Sequence, residues 1–228
     1  MKILAVDTAT KSCSVAVIDK SSLLAEMTIV REQTHSKHLM EMINRVIRLS
    51  GLTLSELDGF AVTRGPGTFT GLRIGISSVK GLAVASGKPV VGVSSLDALA
   101  MQASFSPYLI CPFVDARRGE VYFSRYRFIN GYLKKQAGEQ VFPPEKAVCD
   151  INEKCIFVGD GALLYQETLL KKIGESAFFA PPFQNTIRAS TVAHLSMNRF
   201  ENHDTDDVDI FIPHYIRRSD AELKLTAS

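Results

Sequence analysis

The chain has 228 residues, 46% of them hydrophobic and 22% charged, with 26 Lys and Arg against 24 Asp and Glu for a formal net charge of +2. That is enough apolar material for a core, so wholesale disorder is excluded, and a strongly basic nucleic-acid coat is excluded while a local basic patch is not. The four cysteines, Cys13, Cys111, Cys149 and Cys155, form no CxxC pair and read as reduced thiols of a cytoplasmic protein. Asp7 comes too early for a signal peptide, and no apolar run approaches the length of a membrane span.

In chain order, KILAVD (2–7), SVAVI (14–18) and LLAEMTIV (23–30) are short apolar runs that predict three strands joined by tight turns. Thr34 predicts the cap of a helix over 35–49, stopped by Gly51, with Leu39, Met42, Ile43, Val46, Ile47 and Leu49 as a wide apolar stripe. A short helical turn follows Thr53 or Ser55, and GFAVTRG (59–65) predicts the next strand. The helix predicted over 70–86 carries Gly71, Gly75, Ser78 and Ala85, small residues that lower helix propensity but let another backbone approach closely. A buried strand (89–93) and a helix from Ser94 or Ser95 complete the first half.

YLICPFVD (108–115), the turn ARRG and EVYFSRYRF (120–128) then repeat the opening plan of strand, terminal Asp, polar turn and strand. A strand (154–158), a glycine turn (159–161) and a helix (162–170) follow. The stretch around Pro181–Pro182 is looser, a helix is predicted over 191–200, and the tail around 213–223 is helical or extended. Nine of the 15 glycines lie between Gly51 and Gly92, and only Phe60 and Phe69 of the aromatics lie in the first 100 residues. This asymmetry predicts two α/β domains, 1–105 and 106–228, each a mixed sheet flanked by helices, with a late helix packing back on the first.

Candidate chemistry has competing readings. Asp7 and Asp115 end strands, where α/β sheets place ligands, yet each is equally suited to capping its own turn. RGPGTFTGLRIG (64–75) offers helix N-terminal amides to an anion or serves as a docking turn; it is neither a Walker loop nor GxGxxG. Gly159 and Gly161 in GDGA let an adenosine approach the backbone or serve a tight connection. His35 and His38 are two imidazoles without a third ligand. Arg117–Arg118 and Arg217–Arg218 are basic pairs about a hundred residues apart. No Ser/His/Asp or Cys/His constellation is present.

The segments ILAVDTAT (3–10), HSKHLMEMI (35–43), RGPGTFTGLRIG (64–75), GKPVVGVSSLDALA (87–100), VDARRGEVY (114–122), GDGA and PHYIRR (213–218) span nearly the whole chain and closely resemble the bacterial TsaB (YeaZ) family. The resemblance implies the actin/Hsp70/sugar-kinase fold: two related α/β domains around a cleft. It implies a non-catalytic subunit, not itself an enzyme, that binds TsaD as a heterodimer. TsaD would form N6-threonylcarbamoyladenosine at position 37 of tRNAs reading ANN codons. The HxxxH metal pair of TsaD matches Ser95 and Leu99 here, and leucine has no ligand atom. The implied partners are TsaD, then TsaE, with a homodimer when alone, tRNA mainly through the complex, and no membrane. No cofactor is implied for this subunit; ATP or ADP enters at the level of the assembly.

The implied docking residues are His35, Leu39, Met42, Ile43, Val46, Leu72, Gly75, Ile76 and Val79, and a vestigial nucleotide cleft would involve Asp7, Thr8, Gly159 and Gly161. The competing reading is an ATP-dependent small-molecule phosphotransferase of the same fold.

Overall fold

The three opening apolar runs become β1 (Lys2–Asp7), β2 (Ser12–Asp19) and β3 (Ser22–Val30) in a computed structural model that describes residues 1–20, 22–30 and 35–217. They form an antiparallel meander, and β4 (Gly59–Gly65) and β5 (Val90–Ser94) add in parallel on the other side of β1, in the order β3-β2-β1-β4-β5. The second sheet contains β6 (Leu109–Arg117), β7 (Glu120–Ile129), β8 (Tyr132–Phe142), β9 (Cys155–Val158) and β10 (Ala177–Phe179), in the order β10-β9-β6-β7-β8. Strand for strand the topology is the same, and the repeated strand-Asp-turn-strand unit is its core in each half.

Seven α-helices among the described residues complete five layers. On one face of the first sheet, α1 (Leu39–Leu49) and α2 (Phe69–Ser86) cover Leu4, Val6, Val15, Val17, Phe60 and Val62. The other face carries α3 (Ser95–Gln102) and α7 (Ala189–Glu201), which share one core with Ile110, Val114, Tyr126 and Val158 of the second sheet. The far face of the second sheet, with Cys111, Phe113 and Phe157, is covered by α4 (Pro144–Ala147), α5 (Asp160–Leu164) and α6 (Gln166–Ile173). Strands β1 and β4 are buried on both faces, which is why they read as continuous apolar runs.

Several local expectations change. Residues His35–Lys37 form a 3-10 turn, and α1 begins only at Leu39; Thr34 lies outside the described residues. The helix predicted over 162–170 is two helices broken at Tyr165. Strand β8 escaped notice because it is a polar edge strand with Lys134, Lys135 and Glu139 on it, and β10 lies in the stretch read as loose.

The apolar stripes of α1 and α2 serve the chain itself. Leu39, Met42, Ile43, Val46, Leu72, Ile76 and Val79 are 0–3% exposed and packed in its own cores. At about 1.5–3 kcal/mol for burying each such side chain, they hold the helices to the sheet and cannot at the same time face a partner. Their assignment to a docking face is therefore corrected: these side chains pack inside the chain.

Candidate functional site

The two strand-ending aspartates cap their own turns in the same way. Asp7 Oδ1 accepts from the Ala9 N–H at 3.1 Å and from the Thr63 hydroxyl at 2.8 Å. Asp115 Oδ1 accepts from the Arg117 N–H at 2.8 Å. Each glycine-rich segment then seats a helix against one of these turns. After β4, the Thr68 N–H donates to Ala9 O at 2.7 Å, and the Thr8 hydroxyl donates to Gly71 O at 2.8 Å. A Cβ added to Gly71 would lie 2.1 Å from Thr8 O, and one on Gly75 2.3 Å from Thr8 Oγ1. After β9, a Cβ on Gly159 would lie 2.3 Å from Phe113 O, and Asp160 Oδ1 accepts from the Asp115 N–H at 3.1 Å. The close approach predicted for Gly75 is real, but what fills the space is the chain's own Thr8 side chain, and its place in a docking face is corrected accordingly.

Asp7 and Thr8 lie at the first aspartate turn and Gly159 and Gly161 at the second, near enough that the Asp160 charge acts on Asp7. All four are buried, and Asp7 Oδ2 has no hydrogen-bond partner. Burial, with the Asp160 charge adding to it, pushes the Asp7 carboxyl from 3.8 up to about 7. Asp160 is raised too, by burial and by Asp115, and burial pushes the Cys13 thiol up to about 12. A phosphate entering here would meet the buried carboxyl of Asp7. That does not favour a phosphotransferase.

Residues 213–217, within the tail read from the sequence as helical or extended, form a non-helical strap. The His214 N–H donates to Arg64 O at 2.7 Å, and Tyr215 stacks on Phe69 at 4.9 Å. Arg73 Nε donates to the Tyr215 hydroxyl at 3.1 Å, with its guanidinium 3.8 Å above Phe69. Arg217 Nη1 donates to Ala116 O at 2.8 Å, and its other amino group pairs with Glu120. The strap thus joins the loop after β4 to the β6–β7 turn. Its only sequence signal was an aromatic and an aliphatic residue set among basic ones in PHYIRR; Arg218 lies outside the described residues.

The remaining candidates fall elsewhere. His35 Nε2 donates to Thr10 O at 2.9 Å, so this residue ties the 3-10 turn to the Asp7 turn and does not extend the α1 stripe. Ser95 and Leu99 are buried on α3, and a Cβ on Gly159 would lie 3.0 Å from Leu99 Cδ1. Among the described residues, no three His, Cys, Asp or Glu are grouped to hold a metal ion, and no helix is long and apolar enough to cross a membrane.

The outer face of α2 differs from that of α1. Ser77, Gly81, Val84 and Ala85 are exposed and uncharged, with Val84 69% exposed. Gly81 has no heavy atom within 4 Å of an added Cβ. Among the described residues nothing in the packing calls for a glycine there, although in a helix interior it costs about 1 kcal/mol relative to alanine. On α1, exposed Met40 and Leu49 are interspersed with Glu41, Arg45 and Arg48.

Comparison with known proteins places this architecture. The profile of the family described as "TsaD: tRNA N6-adenosine threonylcarbamoyltransferase" matches residues 22–225. The chain is 30% identical to the tRNA threonylcarbamoyladenosine biosynthesis protein TsaB of Bacillus subtilis, over 98% of this chain and 97% of that protein. It is 32% identical to the TsaB of Haemophilus influenzae, over 86% and 87%. The structure of YeaZ from Pseudomonas aeruginosa superposes with a TM-score of 0.80 at 29% identity, covering 94% of this chain and 99% of that one. At the level of fold alone, the activator of 2-hydroxyisocaproyl-CoA dehydratase from Clostridium difficile superposes with a TM-score of 0.55 at 10% identity, covering 90% and 97%.

Proposed function

The chain belongs to the TsaB (YeaZ) family, and on that premise we propose that it is a non-catalytic subunit that docks onto TsaD and supports formation of N6-threonylcarbamoyladenosine at position 37 of tRNAs reading ANN codons. The observation that carries the docking part is the uncharged patch of Ser77, Gly81, Val84 and Ala85 on α2, with Gly81 open to close approach. A helix of TsaD laid across Ser77, Gly81 and Val84 would bury apolar surface that the chain alone leaves in water. A homodimer would use the same face when TsaD is absent, and TsaE would join the assembly afterwards, in the cytoplasm. Any ATP or ADP requirement belongs to the assembly, a reading supported by the burial of Asp7, Thr8, Gly159 and Gly161 in this chain.

The non-catalytic part is supported by the chemistry of α3. At the positions matching the TsaD metal pair, Leu99 offers no donor atom and Ser95 only a hydroxyl, both buried. Val84→Glu should reduce co-purification of TsaD at least tenfold while the monomer's Tm stays within about 2 °C, since surface substitutions usually shift stability by no more than ~0.5 kcal/mol. Undiminished co-purification would defeat the docking assignment. Calorimetric titration of the isolated chain with ATP should show no heat of binding; a saturating isotherm would favour the phosphotransferase.

A further inference from the structure

The segment that follows α7 runs along one side of α2. Lys80 Nζ donates to the carbonyls of Asp209 and Phe211, each at 3.3 Å. Farther along the helix, Arg73 Nε donates to the Tyr215 hydroxyl at 3.1 Å. Arg73 and Lys80 are about two helical turns apart, so they stand on the same side of α2 and hold residues 209–215 beside it over that length. Ser77 lies one turn on from Arg73, and Val84 one turn on from Lys80, so these two exposed residues border the same side. Gly81 lies between them.

Within the segment the side chains divide. Phe211 turns inward, where a Cβ added to Gly92 on β5 would lie 2.7 Å from its ring. Its neighbours Ile210 and Ile212 are 75% and 66% exposed. The backbone on either side of them is pinned. The Asp206 N–H donates to Val90 O at 2.8 Å, the Gly92 N–H donates to Asp206 Oδ2 at 2.7 Å, and the His214 N–H donates to Arg64 O. Two isoleucines are thus held in water on a fixed backbone next to the uncharged strip of α2, which extends one apolar surface onto a second element. Asp207 and Asp209, both exposed, flank the pair on the preceding side.

We propose that Ile210 and Ile212 form a second wall of the surface that takes TsaD, seated against the flank of a TsaD helix lying across Ser77, Gly81 and Val84. It rests on the reading of α2 as the docking helix, and it goes further by assigning contact residues to a segment more than a hundred positions later in the chain. The occupant is a helix with an apolar face, close to the backbone at Gly81, and with a Lys or Arg at the edge that meets Asp207 and Asp209. Because Lys80 holds the carbonyls of Asp209 and Phe211 in the chain alone, the wall stands in place before binding and little ordering cost falls on the complex.

The test is the binding of the full chain to purified TsaD, followed by biolayer interferometry, with sedimentation of the chain alone beside it. Ile210→Ser/Ile212→Ser should bind TsaD about tenfold more weakly, chiefly through faster dissociation. Both side chains are exposed, so Tm should stay within about 2 °C. Asp207→Asn/Asp209→Asn should slow association severalfold at low salt and leave dissociation nearly unchanged. The control Leu163→Ser/Leu164→Ser removes two exposed leucines of α5 and should stay within about twofold of the unaltered chain. Unchanged TsaD binding by the isoleucine variant, an equal loss in the leucine control, or unchanged association by the aspartate variant would each overturn the proposal. So would loss of self-association with TsaD binding intact, which would make a second copy the occupant. If Val84→Glu weakens TsaD binding and the isoleucine variant does not, the added wall alone is refuted. If Val84→Glu also leaves TsaD bound, the reading of α2 as the docking helix is refuted instead.

Discussion

The Asp7 turn and the Asp115 turn are built alike and treated differently. Each ends the central strand of its sheet, caps itself through an i→i+2 bond, and receives a glycine-led helix from the parallel neighbouring strand. In the first half that helix is α2, 18 residues long, and it presses on Thr8 and Ala9 until Asp7 is 0% exposed. In the second half it is α5, only 5 residues long, and the turn beyond it keeps two exposed arginines in left-handed conformations. One fold element repeated twice thus yields one buried, proton-retaining turn and one turn that exposes Arg117 and Arg118. The strap joins the two.

Four experiments would break or sharpen this contrast. The largest effect is expected from Gly75→Val against Gly161→Val. At Gly75 the added Cβ meets Thr8 Oγ1 at 2.3 Å, so a loss of about 3 kcal/mol or failure to fold is expected. At Gly161 the nearest atoms lie at 3.0 Å, and about 1–2 kcal/mol should be lost. Urea denaturation ranks the two, and the reverse order would contradict the tighter contact at Gly75.

Next is the pH dependence of Asp7. Its carboxyl titrates near 3.8 when unfolded and at about 7 when folded. Between those values the folded state binds more protons than the unfolded state, so stability falls as pH rises from about 4 to 7 and stays reduced above. Asp7→Asn cannot ionise and keeps an oxygen for Ala9 and Thr63. It should therefore gain stability over the unaltered chain by a few kcal/mol at pH 8 and lose that advantage near pH 4. Parallel pH profiles of the two proteins would show that Asp7 ionises freely in the fold.

A smaller effect is expected at the strap. Arg217→Ala removes a charge-assisted bond and a half-buried ion pair, for about 1–2 kcal/mol. Hydrogen exchange should then rise at both 64–69 and 116–120; a rise on one side alone would mean the strap joins nothing. The smallest change, Gly81→Ala, should raise stability by up to about 1 kcal/mol while weakening TsaD binding.

Much of this was legible beforehand. The strands around both aspartates were plain because double burial makes continuous apolar runs, and the duplicated topology followed from their repeat. Which way a helix faces was not legible. The stripe Leu39–Met42–Ile43–Val46 has the same periodicity whether it meets its own sheet or a partner, and here it meets β2 and its neighbours. Gly75 and Gly81 look alike as letters, yet one is demanded by Thr8 and the other by nothing in the chain. Arg217 could not be joined to Arg117 without knowing that the strap crosses between the two halves.

The central claim is that this chain supports TsaD without performing the chemistry. The direct measurement is threonylcarbamoyladenosine formation on tRNA by purified TsaD, supplied with threonylcarbamoyl-adenylate, with the unaltered chain, with Val84→Glu, and with neither. The account predicts robust formation with the unaltered chain and near-background formation in the other two reactions. Equal product in all three would contradict it.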